Sequence, residues 1–425
     1  MICLSDANCF YVSAERVFDP RLRGIPVGVL SNNDGCVVAR SPEIKALGVT
    51  MGQPAHEIPP AIRRQCVLLS SNYALYGDMS RRVTAVYAQH TPDVEVYSID
   101  ESFLGFHGFP SDSLEERCRT MRRQVLRDTG IPVSTGLSTS KVLAKLANHQ
   151  AKRDPERDGV ATLLPNAPET RQLLEELPVT EVWGVAGRMA IRLYELGIQT
   201  AWDLRVADPK RIRARTSVVM ERIIWELRGK DCIELDDMTA PKKQIMTSRS
   251  FGRLTSGRVD LREAVRAHAS RGAEKLRRQH SLARAVMVFV RTNPFREDLP
   301  QHRDSVVVAL PNATDDSRLI VKAAARGLEA LYRDGFWYQK AGVMLMDLCD
   351  RAAEQLDLMA EPEDDVQRQR RDRLMATVDQ LNAEHGHGTV TLGMSRPGSA
   401  WQLRCQNRSS RYTTRWDELP SVNCS

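Results

Sequence analysis

Apolar residues along the 425-residue chain recur with two periods, and the period changes at intervals. "MICLSD" reads as a short buried strand ending in an acid, and "ANCFYVSAERV" spaces its apolar residues as a helix does. "PVGVL" and "CVVAR" read as strands joined by "SNNDG", whose Asn, Asp and Gly tolerate positive φ. "SPEIKALGV" predicts a short helix closed by Gly48. From about 72 to 164 the pattern alternates: helix "SRRVTAVYAQH", strand "EVYSIDESFLGF", helix "SLEERCRTMRRQVLRDTG", strand "PVSTGLS", helix "SKVLAKLANHQAKR". That order predicts an α/β or α+β domain with a mixed sheet.

Residues 166 to 237 keep helical spacing almost throughout, with turns at "WGVAG" and "ELGI". Charge and proline break the periodicity at "DDMTAPKKQ". The run from 240 to 350 reads strand, helix, strand, strand, helix, strand, the order of a four-stranded sheet with helices on one face. The last 75 residues open on the acidic linker "AEPEDD" and end in "RSSRYTTRWDELP", which looks weakly structured by itself. "HGHG" at 385 to 388 offers two histidines without further ligands and reads as loop.

Composition changes the picture in three places. The length exceeds one typical domain and predicts two to four. The formal net charge is +6, yet residues 240–350 hold 20 Lys and Arg against 12 Asp and Glu, so the basic bias is concentrated there. The nine cysteines are scattered and never form C-x-x-C, the pattern of reduced thiols. The start lacks a basic n-region, and no apolar run approaches the roughly 18 residues of a membrane span, so neither a signal peptide nor a membrane contact is expected.

The candidate chemistry lies in three acids. Asp6 ends the first strand, and Asp100 and Glu101 sit side by side in "EVYSIDESFLGF". Successive strand residues point to opposite faces, so an adjacent pair of carboxylates needs a reason. If the two strands are neighbours in one sheet the three acids meet, and their repulsion calls for hard divalent cations. The residues alone equally allow solvated acids at a strand end and an Asp6 that caps a helix.

The motifs "DANCFYVSAE", "SNNDGCVVARS", "EIKALGVTMGQP", "SSNYALYGDMS", "VYSIDESF", "STSKVLAKLANHQAK" and "VWGVAGRMAIRLYELGI" occur in that order, followed by "SRSFGR", "AAEKLR", "YQKAGVML" and "SSRYTTRW". Together they resemble the Y-family translesion DNA polymerases over essentially the whole chain. The resemblance implies a multidomain α+β right hand. Its parts would be palm (1–12 and 72–165, a mixed sheet plus helices), small fingers (13–71), helical thumb with a helix-hairpin-helix (166–237), βαββαβ-like little finger (240–350) and C-terminal extension (351–425).

The same resemblance implies residue roles. Asp6 and Asp100 would bridge two Mg2+ ions, with the carbonyl of Ala7 as a further ligand and Glu101 holding the ion nearer the primer 3′-hydroxyl. Tyr11 would be the steric gate beneath the deoxyribose, with Phe10 lining the same pocket. Lys45 and Lys152 would lie near the triphosphate, and Pro42 has no assigned role. The hairpin has Ala186 where G-V-G is usual, which would weaken its phosphate contact. Gln355, Leu356, Asp357, Leu358 and Met359 would form a sliding-clamp docking peptide. The implied function is error-prone synthesis from dNTPs across damaged primer-template DNA in the SOS response, by a cytoplasmic enzyme working with a cleaved UmuD-like dimer and a RecA filament. A palm-fold nucleotidyl cyclase, a two-metal nuclease and a non-catalytic DNA-binding protein are the alternatives. The first two share the carboxylates but need neither the gate nor the thumb and little finger.

Overall fold

The N-terminal residues ICLSDA form β1 (Ile2–Ala7), and α1 (Phe10–Phe18) begins two residues later. In this computed structural model, which describes residues 1–235, 241–353, 365–386, 388–393, 396 and 398–419, the chain divides into two compact units. One is Met1–Thr239 together with Gln406–Ser425; the other is Ala240–Cys405. The expected clamp peptide, Gln355 to Met359, lies outside the described residues.

In the first unit β2 (Val27–Leu30), β3 (Val37–Arg40) and β4 (Val67–Ser70) form a small sheet of order β3-β2-β4. Its turn holds Asn33 and Asp34 at φ 62° and 54°, as the side chains suggested. α2 (Pro42–Ala46) starts with Ser41 accepting from the Ile44 N–H at 3.3 Å, and Pro42 takes the first helical position, where its missing N–H costs nothing. α3 (Pro60–Arg63) and α4 (Tyr73–Tyr87) follow.

The larger sheet contains β1, β5 (Val94–Val96), β6 (Glu101–Gly105), β7 (Val133–Ser138) and β8 (Val160–Thr162), in the order β5-β6-β1-β7-β8. All neighbours are antiparallel except β7 and β8, so the sheet is mixed as expected. Both faces of β1 are buried: Cys3 packs with Leu104 and Leu137, whereas Ile2 and Leu4 pack with Phe103 and Ala144. The second group includes α6 (Lys141–Arg153), and α5 (Leu114–Thr129) contributes to the first. α6 lies on β7 because Gly136 has no side chain; a Cβ there would run into the backbone of Ala144, Ala147 and Asn148.

One expected strand is a hairpin. "EVYSIDESFLGF" reverses between β5 and β6, and Asp100 lies in the turn. The cause is local: the Ser98 hydroxyl accepts from the N–H groups of Asp100 and Glu101 at 3.2 and 3.0 Å, closing a turn that lacks Gly, Pro or Asn.

The helical stretch forms α7 (Pro168–Glu176), α8 (Arg188–Glu195), α9 (Ala201–Val206), α10 (Pro209–Arg215) and α11 (Val218–Leu227), which share one core with Val142, Leu143 and Leu146 of α6. Before α8 stands a single 3-10 turn, Val179–Glu181, rather than an α-helix, and Pro178 favours the extended Leu177 at which α7 ends.

The second unit runs β9 (Ile245–Thr255), α12 (Arg258–Arg278), β10 (Ser281–Thr292), β11 (Arg303–Thr314), α13 (Ser317–Leu331) and β12 (Tyr338–Asp350), the element order read from the pattern. Its antiparallel sheet, β11-β10-β12-β9, packs Val286, Val288, Val343 and Leu345 against Leu261 and Leu276 of α12 and Ile320 and Leu328 of α13. The described residues of the C-terminal region hold more tertiary anchors than the sequence suggested. α14 (Asp365–His385) is tied by Asp379 to Arg277 at 2.7 Å, and Glu263 accepts from Arg396, Ser399 and Trp401. These anchors come from distant side chains, so they left no local trace.

Candidate active site

Asp6 and Glu101 are direct partners in the β1–β6 ladder, and the Ala7 N–H donates to the Asp100 carbonyl at 2.9 Å. The sheet therefore brings Asp6, Ala7, Asp100 and Glu101 to one rim. The alternation of strand faces does not apply to the Asp100–Glu101 pair, because Asp100 precedes the strand that Glu101 opens. Ser98 serves twice, donating its hydroxyl to an Asp100 carboxylate oxygen at 2.5 Å while its oxygen shapes the turn.

α6 supplies the compensating charge. Lys152 Nζ lies 2.6 Å from Asp6, and Lys145 Nζ reaches both Glu101 oxygens at 2.8 and 3.0 Å. Burial pushes the Asp6 carboxyl up to about 6; Lys152 opposes that shift, and the charges of Glu101 and Asp100 add to it. Among the described residues no three His, Cys, Asp or Glu side chains converge in metal-binding geometry. Glu101 and Asp100 are instead turned to Lys145 and Ser98. The chemistry of the set still fits a hard divalent cation: its candidate donors are all oxygen, and the buried Asp6 is pushed up despite Lys152, so a further cation would favour its charged form.

Beside the acids is an aromatic cluster. Tyr11 on α1 stacks on Tyr76 of α4, centroids 4.3 Å apart and planes 14° from parallel, and meets Tyr73 edge-on at 6.2 Å. Phe10 is buried with its ring 5.8 Å from that of Tyr11. Burial, Tyr73 and then the Asp100 charge all raise the Tyr11 phenol above its ordinary value. Lys45 is exposed on α2 with Nζ 3.5 Å from the Cys9 thiol, just ahead of α1. The Arg16–Glu43 ion pair at 2.8 Å fixes α2 to α1. Phe10, Tyr11 and Lys45 thus gather around the start of α1, and Lys152 approaches Asp6 from α6.

Sequence reasoning passed over Lys145, Ser98 and Tyr76. Lys145 had a signal, since it lies seven residues before Lys152, close to two helical turns and so on the same face. Ser98 had the weaker one of a hydroxyl two residues before an Asp.

The profile of the impB/mucB/samB family matches residues 5–149, and that of its C-terminal domain matches residues 242–358. A domain of unknown function, DUF4113, matches residues 372–422. The chain is 43% identical to the protein UmuC of Salmonella typhimurium over 99% of its own length and all of the relative's. It is 29% identical to DNA polymerase IV of Moorella thermoacetica, over 94% of this chain and 96% of that one. A solved chimera of the Y-family DNA polymerases Dbh and Dpo4 superposes with a TM-score of 0.64 at 20% identity, covering 82% of this chain and 99% of the chimera, a likeness of fold. The chain belongs to the impB/mucB/samB family, the UmuC-type Y-family DNA polymerases.

Proposed function

We propose that this polymerase copies damaged template with low fidelity in the SOS response, adding dNTPs to a primer 3′-hydroxyl by two-metal phosphoryl transfer. The observation that carries the reading is the ladder pairing of Asp6 with Glu101, with Asp100 joined to Ala7 by a backbone hydrogen bond. Two bound Mg2+ ions would activate the attacking oxygen and stabilise the leaving one. Asp6, Asp100 and the Ala7 carbonyl would hold them, with Glu101 on the primer side.

Tyr11 closes the space where a ribose 2′-hydroxyl would protrude, and Phe10 backs the same wall. Lys45 and Lys152 are compact cations placed to meet triphosphate oxygens; as lysines they act as point charges rather than bidentate forks. In this reading residues 13–71 are a fingers domain whose small size imposes little shape selection on the new base pair. Residues 166–237 are the thumb, and the basic unit 240–350 grips the duplex through phosphates without reading sequence. A cleaved UmuD-like dimer, a RecA filament and, through Gln355 to Met359, the sliding clamp complete a cytoplasmic assembly. No described helix is long and apolar enough to cross a membrane.

Primer extension opposite an abasic site, with and without a cleaved UmuD-like dimer and RecA filament, tests the reading. Bypass that depends on both partners supports it; failure to extend an undamaged primer under every condition contradicts it.

A further inference from the structure

The segment that follows the second unit returns to the first and contacts both helices that carry the tyrosine cluster. Asn407 exchanges hydrogen bonds with Ser70: its carbonyl accepts from the Ser70 N–H and its N–H donates to the Ser70 hydroxyl, each at 3.0 Å. Asn72, which caps α4 through Leu75, donates its side-chain amide to the Ser409 hydroxyl at 2.9 Å and to the Ser410 carbonyl at 3.1 Å. Tyr412 stacks on Phe18 at the end of α1, centroids 5.0 Å apart and planes 7° from parallel.

Between these anchors lies Glu15, a carboxylate only 2% exposed on the helix that carries Tyr11. One of its oxygens accepts from Tyr76 at 2.7 Å and from the Ser409 hydroxyl at 3.0 Å. Both donors are neutral, so Glu15 depends on two hydroxyls to offset its lost hydration, and burial raises its carboxyl above the ordinary range. Tyr76 is fully buried, and its ring is the surface on which Tyr11 stacks. A line of contacts therefore runs from Ser409 through Glu15 and Tyr76 to Tyr11.

We propose that the C-terminal segment around Ser409 is a positioning element for sugar selection, holding the Tyr11 ring through Glu15 and Tyr76. The proposal rests on the reading of Tyr11 as the gate, and it gives part of the domain of unknown function a task at the active site. Ser409 and Tyr76 touch no substrate. They restrict where the Tyr11 ring can move, so loosening them widens the space beneath the sugar more than it weakens dNTP binding.

The experiment compares ribonucleotide with deoxyribonucleotide incorporation efficiency for wild type, Tyr11→Ala, Ser409→Ala, Tyr76→Phe and the Tyr11→Ala/Ser409→Ala double variant. Ser409→Ala is expected to raise the ribo-to-deoxyribo ratio about three- to tenfold while changing dNTP efficiency no more than about twofold. Tyr76→Phe, which keeps the ring and loses only the hydroxyl, should raise the ratio in the same direction, and it carries the comparison if Ser409→Ala fails to fold. In the double variant, loss of Ser409 should add nothing, because both changes act on one wall. If Tyr11→Ala raises the ratio but Ser409→Ala and Tyr76→Phe leave it unmoved, the buttress is overturned and the gate stands. If Tyr11→Ala also leaves it unmoved, both are overturned.

Discussion

Asp6 and Glu101 face each other across the β1–β6 ladder, and each is held by a different lysine of one helix, Lys152 at 2.6 Å and Lys145 at 2.8 Å. The arrangement balances a half-buried group of acids with cations that a substrate complex would have to displace or share.

If Glu101 holds a divalent cation as proposed, Lys145, which already bonds both Glu101 oxygens, competes with it. Lys145→Gln should therefore tighten Mg2+ binding by the free protein about three- to tenfold, equivalent to roughly 0.7–1.4 kcal/mol. Calorimetric titration with Mg2+ in the absence of DNA and dNTP measures it; unchanged or weaker binding would show that Lys145 supports the ion site instead.

The position of both lysines depends on Gly136. Gly136→Ala would force α6 away from β7, because the new Cβ meets backbone rather than flexible side chain. The expected cost is about 1–3 kcal/mol, the usual range for overpacking, or more. Denaturant unfolding gives the stability, and loss of incorporation should accompany it, since Lys145 and Lys152 move with the helix.

Tyr11→Ala should admit ribonucleotides and keep dNTP incorporation measurable, as it removes bulk where a 2′-hydroxyl would protrude. A ribo-to-deoxyribo ratio that does not change makes Tyr11 a packing residue on Tyr76.

Legibility in the sequence followed the range of the interactions. β1, α1 and the six-element order of the second unit announce themselves, because local apolar spacing decides them. The "SNNDG" turn does too, since its residues are those that tolerate positive φ. The β5–β6 hairpin was hidden because its turn lacks Gly, Pro and Asn and is closed by the Ser98 hydroxyl inside an apolar-looking run. Lys145 looked like an ordinary helix lysine, since its partner Glu101 is 44 positions away. The C-terminal region gave least: Ser409 meets Glu15 across 394 positions, and nothing near "SSRYTTRW" records that contact.

The central claim is that Asp6, Asp100 and Glu101 perform the chemistry rather than close a strand end. Single-turnover dNTP incorporation by Asp6→Asn and Asp100→Asn, measured beside DNA binding by anisotropy, tests it most directly. Each change would remove a carboxylate proposed to be shared by two ions, and leaves the proposed DNA-phosphate grip of residues 240–350 untouched. The account predicts incorporation below about a tenth of wild type for both variants, with DNA affinity within a few-fold. Incorporation above about a tenth by both would contradict it.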